Sequence, residues 1–290
     1  MHDGLAGVHV AALTPFARDR DRSVATDAYL AHLRWLASHG VDGIVCFGTN
    51  GEGPSLSVDE KARLFERLHD EEWPVTLIPT VGEVSLTAAL ELIRHYNEFP
   101  SPAVMVSPPH YFKQIEPGGL RDYYERVLAE SAHPVIAYHI PSHAIAVPPE
   151  VIGDLPLWGV KDSGGDLAYA EDVLQRGRGV LLGAEPLAWD GLRKGATGLI
   201  SGLANAVPDR VVALAGAVAE GDEATAKALQ VHLAEFRSIV SRNGGPAALK
   251  RLAEHRHGHS MGTLRPPLVD APADLDPEAA LAVAAAVSPA

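Results

Sequence analysis

The chain has 290 residues, and its 24 Lys and Arg against 37 Asp and Glu leave a formal net charge of −13. A nucleic-acid binder needs a basic face to replace phosphate counterions, so this balance argues against a nucleic-acid partner. With 47% hydrophobic and 21% charged residues, the composition is that of a globular protein with a sizeable core and is too apolar for a disordered chain.

Cys46 is the only cysteine, which excludes an intramolecular disulfide and any multi-cysteine metal site and favours a reducing compartment. The first residues carry no basic stretch followed by an apolar run. No segment approaches the roughly 18 uninterrupted apolar residues of a membrane helix; the longest candidate is the short Ala/Val run Ala279–Val287. These features predict a soluble, cytoplasmic protein with no membrane partner.

In chain order, short apolar runs alternate with longer amphipathic ones, the pattern of repeated βα units around a parallel sheet. The predicted strands are Val8–Phe16, Gly43–Thr49, Val75–Val81, Ala103–Ser107, Val135–Ile140, Trp158–Ser163, Val180–Ala184 and Gly198–Leu203. Helical patterns between them include Asp27–Ser38, Val58–Asp70, Ser85–Asn97, Gly119–Glu130 and Leu187–Lys194, with Pro208–Glu220 as the eighth helix. Eight such units close naturally into a (β/α)8 TIM barrel, an α/β fold. Neither a G-x-G-x-x-G after the first strand nor a Walker pattern is present, so nucleotide chemistry has no support. After Gly221 the strand signal stops, and Glu223–Ser241, Pro246–Glu254 and Pro277–Val287 read as further helices, with a Pro-rich connection from Pro266 to Pro277. The expected organisation is a barrel over residues 1–220 and a C-terminal helical region over 221–290.

In such a barrel the reactive groups project from the C-terminal ends of the strands. Lys161 stands out because it interrupts an apolar strand whose side chains alternate between the barrel interior and the helix layer. If it points inward, with Ser163 two positions on, desolvation favours the neutral amine and makes it a nucleophile toward a carbonyl. A lysine that reaches solvent at the strand end or pairs with Asp162 is the competing reading. Tyr138 lies 23 residues earlier, about one βα unit, and so belongs at a similar height on the adjacent strand. A phenol beside an amine can shuttle the protons that imine formation requires, although a packed tyrosine with its hydroxyl tied to backbone would also fit. The Gly48-Thr49-Asn50-Gly51-Glu52 turn offers backbone N–H groups to a small carboxylate, and Thr49 adds a hydroxyl to the proton path; a plain βα connection is the alternative.

Four stretches carry a resemblance to a known family. Gly48 to Ser57 (GTNGEGPSLS), Ser107 to Tyr111 (SPPHY), Tyr138 to Ser142 (YHIPS) and Gly159 to Asp166 (GVKDSGGD) resemble, in order and spacing, the signatures of the dihydrodipicolinate synthase/N-acetylneuraminate lyase superfamily. The resemblance covers essentially the whole chain, including Thr14-Pro15-Phe16. It implies a Schiff-base lysine at Lys161, a relay tyrosine at Tyr138, Thr49 in the turn that holds the ketoacid carboxylate, no cofactor or metal, and a homo-oligomer, either tetramer or dimer.

The departures bear on the substrate. His143 stands where the synthases carry an arginine for the aldehyde's carboxylate, Asn50 where they carry a second threonine, and His110 in place of the tyrosine that completes their relay across a subunit interface. An imidazole cannot make the bidentate contact of a guanidinium. The sequence is more similar to the 4-hydroxy-2-oxoglutarate and 2-keto-3-deoxy sugar-acid aldolase branches, with Asn50, Ser163 and His143 facing the distal part of the substrate. The expectation is a lyase that joins or separates a 2-oxo acid, pyruvate, and an aldehyde. A synthase or sugar-acid dehydratase of the same superfamily and a non-catalytic ketoacid-binding protein are the alternatives. Of the remaining residues, the Glu254–His259 tract crowds three imidazoles but not on one helix face, and we expect no metal there. His139 should point away from Tyr138, and Cys46 should be an inert core thiol.

Overall fold

The computed structural model describes residues 3–112 and 114–286. Eight parallel strands, β1 (Gly7–Ala11), β2 (Gly43–Cys46), β3 (Thr76–Val81), β4 (Val104–Val106), β5 (Val135–His139), β6 (Gly159–Asp162), β7 (Gly179–Leu182) and β8 (Gly198–Ser201), pair in sequence order and close, with β8 against β1. Each is followed by a helix: α1 (Thr26–Ala37), α2 (Val58–His69), α3 (Leu86–Tyr96), α4 (Pro117–Glu130), α5 (Pro149–Asp154), α6 (Leu167–Gln175), α7 (Ala188–Arg193) and α8 (Pro208–Glu220). The molecule is therefore a (β/α)8 TIM barrel with additional C-terminal helices α9 (Glu223–Arg242), α10 (Pro246–His257) and α11 (Pro277–Ala285).

Strand alternation produces two apolar layers. Ala11, Val45, Ile78, Met105, Ile136, Tyr138, Leu181 and Ile200 fill the barrel, whereas Val10, Ile44, Cys46, Val135, Ala137, Val160 and Leu199 pack outward against the helices. Helix starts are set by side chains that satisfy the unpaired first N–H groups. On α2, Ser57 accepts from the Glu60 N–H while the Glu60 carboxylate accepts from the Ser57 N–H, a capping box. Ser85, Asp166, Asp222 and Asp276 do the same singly for α3, α6, α9 and α11.

Several predicted strands are shorter in the structure. β1 ends at Ala11 because the next apolar residues leave the ladder: the Leu13 N–H is taken by the Asn205 side chain at 3.0 Å, and Pro15 has no N–H to give. Phe16 makes only isolated bridges, to Val24 and Thr263. The helices α5 and α6 fall between the elements named from the sequence, α10 runs on to His257, and Val287, the predicted end of the last helix, lies outside the described residues. Helix α9 packs on α8, α7 and α11, so the C-terminal helices lie against the last units of the barrel. Among the described residues no helix is long and apolar enough to cross a membrane.

Candidate active site

Parallel pairing of β5 with β6 sets Tyr138 directly opposite Lys161. Lys161 points into the barrel and is 5% exposed, which decides between its two readings. Its Nζ donates to the Tyr138 hydroxyl at 2.9 Å and lies 4.0 Å from the centre of the Tyr138 ring. The Tyr138 hydroxyl is in turn 3.2 Å from Thr49 Oγ1, so amine, phenol and alcohol form one hydrogen-bonded line. Burial acts to raise the Tyr138 phenol. The Lys161 charge and the hydrogen bonds from Lys161, Thr49 and Ser163 outweigh it and hold the phenol below its ordinary value.

Space for Lys161 comes from Gly183, where an added Cβ would lie 2.3 Å from Ser163 Oγ and 3.1 Å from Lys161 Cε. Thr49 and Asn50 occupy a turn bracketed by two left-handed residues, Phe47 (φ 61°) and Glu52 (φ 54°). Non-glycine residues there cost about 1 kcal/mol or more each, so the surrounding contacts must impose the conformation. The turn closes through Glu52 N–H to Thr49 O at 3.1 Å and Gly53 N–H to Gly48 O at 3.0 Å. Only glycine fits at 53, where a Cβ would sit 1.9 Å from the Phe47 carbonyl oxygen.

Thr49, Asn50, Tyr138, His143, Lys161 and Ser163 all border a single cavity of about 310 Å³. His110 does not reach it. It lines an adjoining chamber of about 180 Å³ with Thr80 and Ser107, on the other side of Tyr138 and Thr49, and His143 touches both spaces. Ser142 Oγ lies 2.7 Å from His143 Nδ1.

Sequence reasoning missed Glu185 and Arg237. Glu185 follows β7 and is buried; it accepts from Ser201 Oγ at 2.6 Å and from Arg237 Nη1 at 2.7 Å, and both residues of that ion pair line the larger cavity. A carboxylate just past a strand end was a readable signal for Glu185. Arg237, on α9, gave none, because an arginine on an amphipathic helix resembles any solvated one.

The residues weighed as structural have identifiable surroundings. His139 faces outward, accepting from the Val147 N–H at 3.2 Å and stacking on Tyr169 at 4.0 Å. Burial pushes the Cys46 thiol up to about 12. In the imidazole tract, His257 Nε2 lies 3.2 Å from His32 Nδ1, and His257 Nδ1 accepts from the His259 N–H. No group of three or more potential metal ligands occurs among the described residues.

A closed eight-stranded barrel with a buried lysine and tyrosine facing one cavity at the C-terminal strand ends can accommodate imine chemistry. Residues 4–286 match the sequence model of the Dihydrodipicolinate synthetase family, and the chain belongs to that family, as a class I aldolase/lyase. The chain is 31% identical over 276 residues to a 4-hydroxy-tetrahydrodipicolinate synthase of Natronomonas pharaonis, covering 92% of each. It is 33% identical over 273 residues to an uncharacterized DapA-like lyase of Halobacterium salinarum, covering 91% of this chain and 88% of that one. Among solved structures, Proteus mirabilis N-acetylneuraminate lyase superposes with a TM-score of 0.87 at 25% identity, over 97% of this chain and 98% of that chain.

Proposed function

We propose that this enzyme cleaves or forms a 4-hydroxy-2-oxo acid, with pyruvate as one partner and an aldehyde as the other, through an imine on Lys161. The observation that carries the reading is the line from Lys161 Nζ to the Tyr138 hydroxyl to Thr49 Oγ1 at the wall of a cavity sized for a small acid. In the cleavage direction Nζ adds to the C2 carbonyl, and Tyr138 moves the protons that let the carbinolamine lose water. The protonated imine draws the electron pair of the C3–C4 bond as Tyr138 takes the proton of the 4-hydroxyl. The aldehyde departs, the enamine is protonated at C3, and water releases pyruvate and free Lys161. The turn at Thr49 and Asn50 binds the ketoacid carboxylate through backbone N–H groups, and Asn50, His143 and Ser163 face the distal part of the substrate. His110 takes a supporting place in the adjoining chamber.

This reading also includes a homo-oligomer. Exposed Tyr111 and Phe112 beside His110 support a contact at that corner, and sedimentation as a monomer would remove it. The catalytic proposal is tested by reduction with sodium borohydride, with and without pyruvate, followed by mass spectrometry and peptide mapping. A pyruvate-dependent adduct on Lys161, absent in Lys161→Ala together with turnover, is the expected result. Substantial aldol cleavage by Lys161→Ala would refute it.

A further inference from the structure

The turn that borders the cavity is held from outside the barrel's first half. Both oxygens of the buried Glu52 carboxylate are taken by the C-terminal part of the chain: Oε1 accepts from Lys250 Nζ at 2.5 Å, and Oε2 accepts from the Arg265 N–H at 3.0 Å. Lys250, 198 residues away on α10, is itself buried and also donates to the Thr263 carbonyl oxygen at 2.7 Å, above the Phe16 ring. Arg265 stacks on the same ring, donates to the Ser55 carbonyl oxygen and makes a two-pronged pair with Glu60. Glu52 is the left-handed residue that ends the turn, two positions after Asn50. Neither Glu52 nor Lys250 lines the cavity that Lys161 faces.

We infer that Glu52 and Lys250 are positioning residues: their buried ion pair holds Glu52 in its left-handed conformation, fixes the Thr49–Glu52 turn that it ends, and so sets the affinity of the site for the 2-oxo acid carboxylate. The inference rests on the imine reading above. A buried pair is poor evidence of a stability role, because replacing both charges with neutral groups of similar size is commonly tolerated. Its distinctive contribution here is to join α10 to the carboxylate turn, which makes the C-terminal helical region part of the binding site.

The test compares the native chain, Lys250→Met and the double variant Glu52→Gln with Lys250→Met. Pyruvate-dependent borohydride trapping on Lys161 is titrated in each, and thermal unfolding is recorded alongside. Lys250→Met strands a buried carboxylate and is the harsher change. The double variant removes both charges and leaves an amide oxygen at position 52 for the Arg265 N–H, so it is expected to fold. Positioning predicts that the pyruvate concentration for half-maximal trapping rises about tenfold or more in the double variant while the trapped plateau stays at the native level. Half-saturation within about twofold of native in a folded double variant would overturn the inference. A double variant that does not fold would overturn it too, since the pair would then support the fold rather than the turn. If the native chain itself gives no adduct, the imine reading fails first and takes this inference with it.

Discussion

Tyr138→Phe separates what the phenol does for the reaction from what it does for the fold. The ring stays, with its face 4.0 Å from Lys161 Nζ, so the cation–π contact survives the change. What is lost is the hydroxyl that accepts from Nζ at 2.9 Å and meets Thr49 Oγ1 at 3.2 Å. Leaving a buried polar group without its partner costs about 1–3 kcal/mol, which corresponds to a few degrees of melting temperature in a chain of this length and leaves the protein folded at assay temperature. Removing a positioned proton shuttle costs about 10²–10⁴ in rate, or roughly 3–5 kcal/mol of barrier. The catalytic loss therefore exceeds the loss of stability. Steady-state cleavage, read by coupling released pyruvate to a dehydrogenase, should show kcat down by about 10² or more with the melting temperature lowered by only a few degrees. The companion variant Thr49→Val removes one of the hydrogen bonds that hold the phenol below its ordinary value, so the pH limb assigned to Tyr138 should move upward. A Tyr138→Phe enzyme within about threefold of native kcat would refute the relay.

Three further variants probe buried charges and one at the cavity wall. Burial, aided by the Asp166 charge and opposed by the Gly164 N–H and the Lys161 charge, pushes the Asp162 carboxyl up to about 6; its contribution to stability therefore falls as pH rises through about 4 to 6, and above that window the ionised group costs up to about 3 kcal/mol. Asp162→Asn should unfold at higher urea than the native chain at pH 7.5 and at the same urea at pH 3.5, and equal midpoints at both would sink the argument. Burial and the nearby His257 and His259 charges, opposed by the hydrogen bond with Asn205, lower the His32 imidazole to about 3, so the unfolded chain gains a proton below about 6.5 that the folded one does not. That stability is complete above about pH 6.5 and is lost at about 1.4 kcal/mol per unit below it; in His32→Gln the urea-measured loss between pH 6.5 and 5 should shrink by about 2 kcal/mol, and an unchanged loss counts against it. Glu185 neutralises Arg237 at the cavity wall, so Glu185→Gln should lower KM for 2-oxo acids with an anionic distal end relative to neutral polyhydroxy ones, about fivefold or more; an unaltered ratio would show that Arg237 does not sense the substrate.

How far each residue could be read follows from the separation over which its environment is determined. Lys161 and Tyr138 were legible because a barrel converts a spacing of one βα unit into adjacency, and the β5–β6 register pairs them directly. Lys161 was also conspicuous as a charge in an apolar strand. The glycine-flanked turn was visible, but its left-handed ends were not, because nothing local distinguishes a glutamate forced to φ 54° from one that caps a helix. Apolar composition cannot separate a strand from a buried loop, so the sequence pattern carries β1 on to Phe16, whereas Leu13 turns to the Asn205 side chain. The ion pair at the cavity wall and the one behind it were hidden for a related reason. Lys250 and Arg237 sit on amphipathic helices among other charged residues, and their partners, Glu52 and Glu185, come from the β2 and β7 ends of the barrel. Only the packing of α9 and α10 across those strand ends makes one lysine buried and one arginine a wall of the site. The imine chemistry proposed for this barrel draws on residues of its strands, while the last helices bring Arg237 to the cavity wall and Lys250 to the turn beside it.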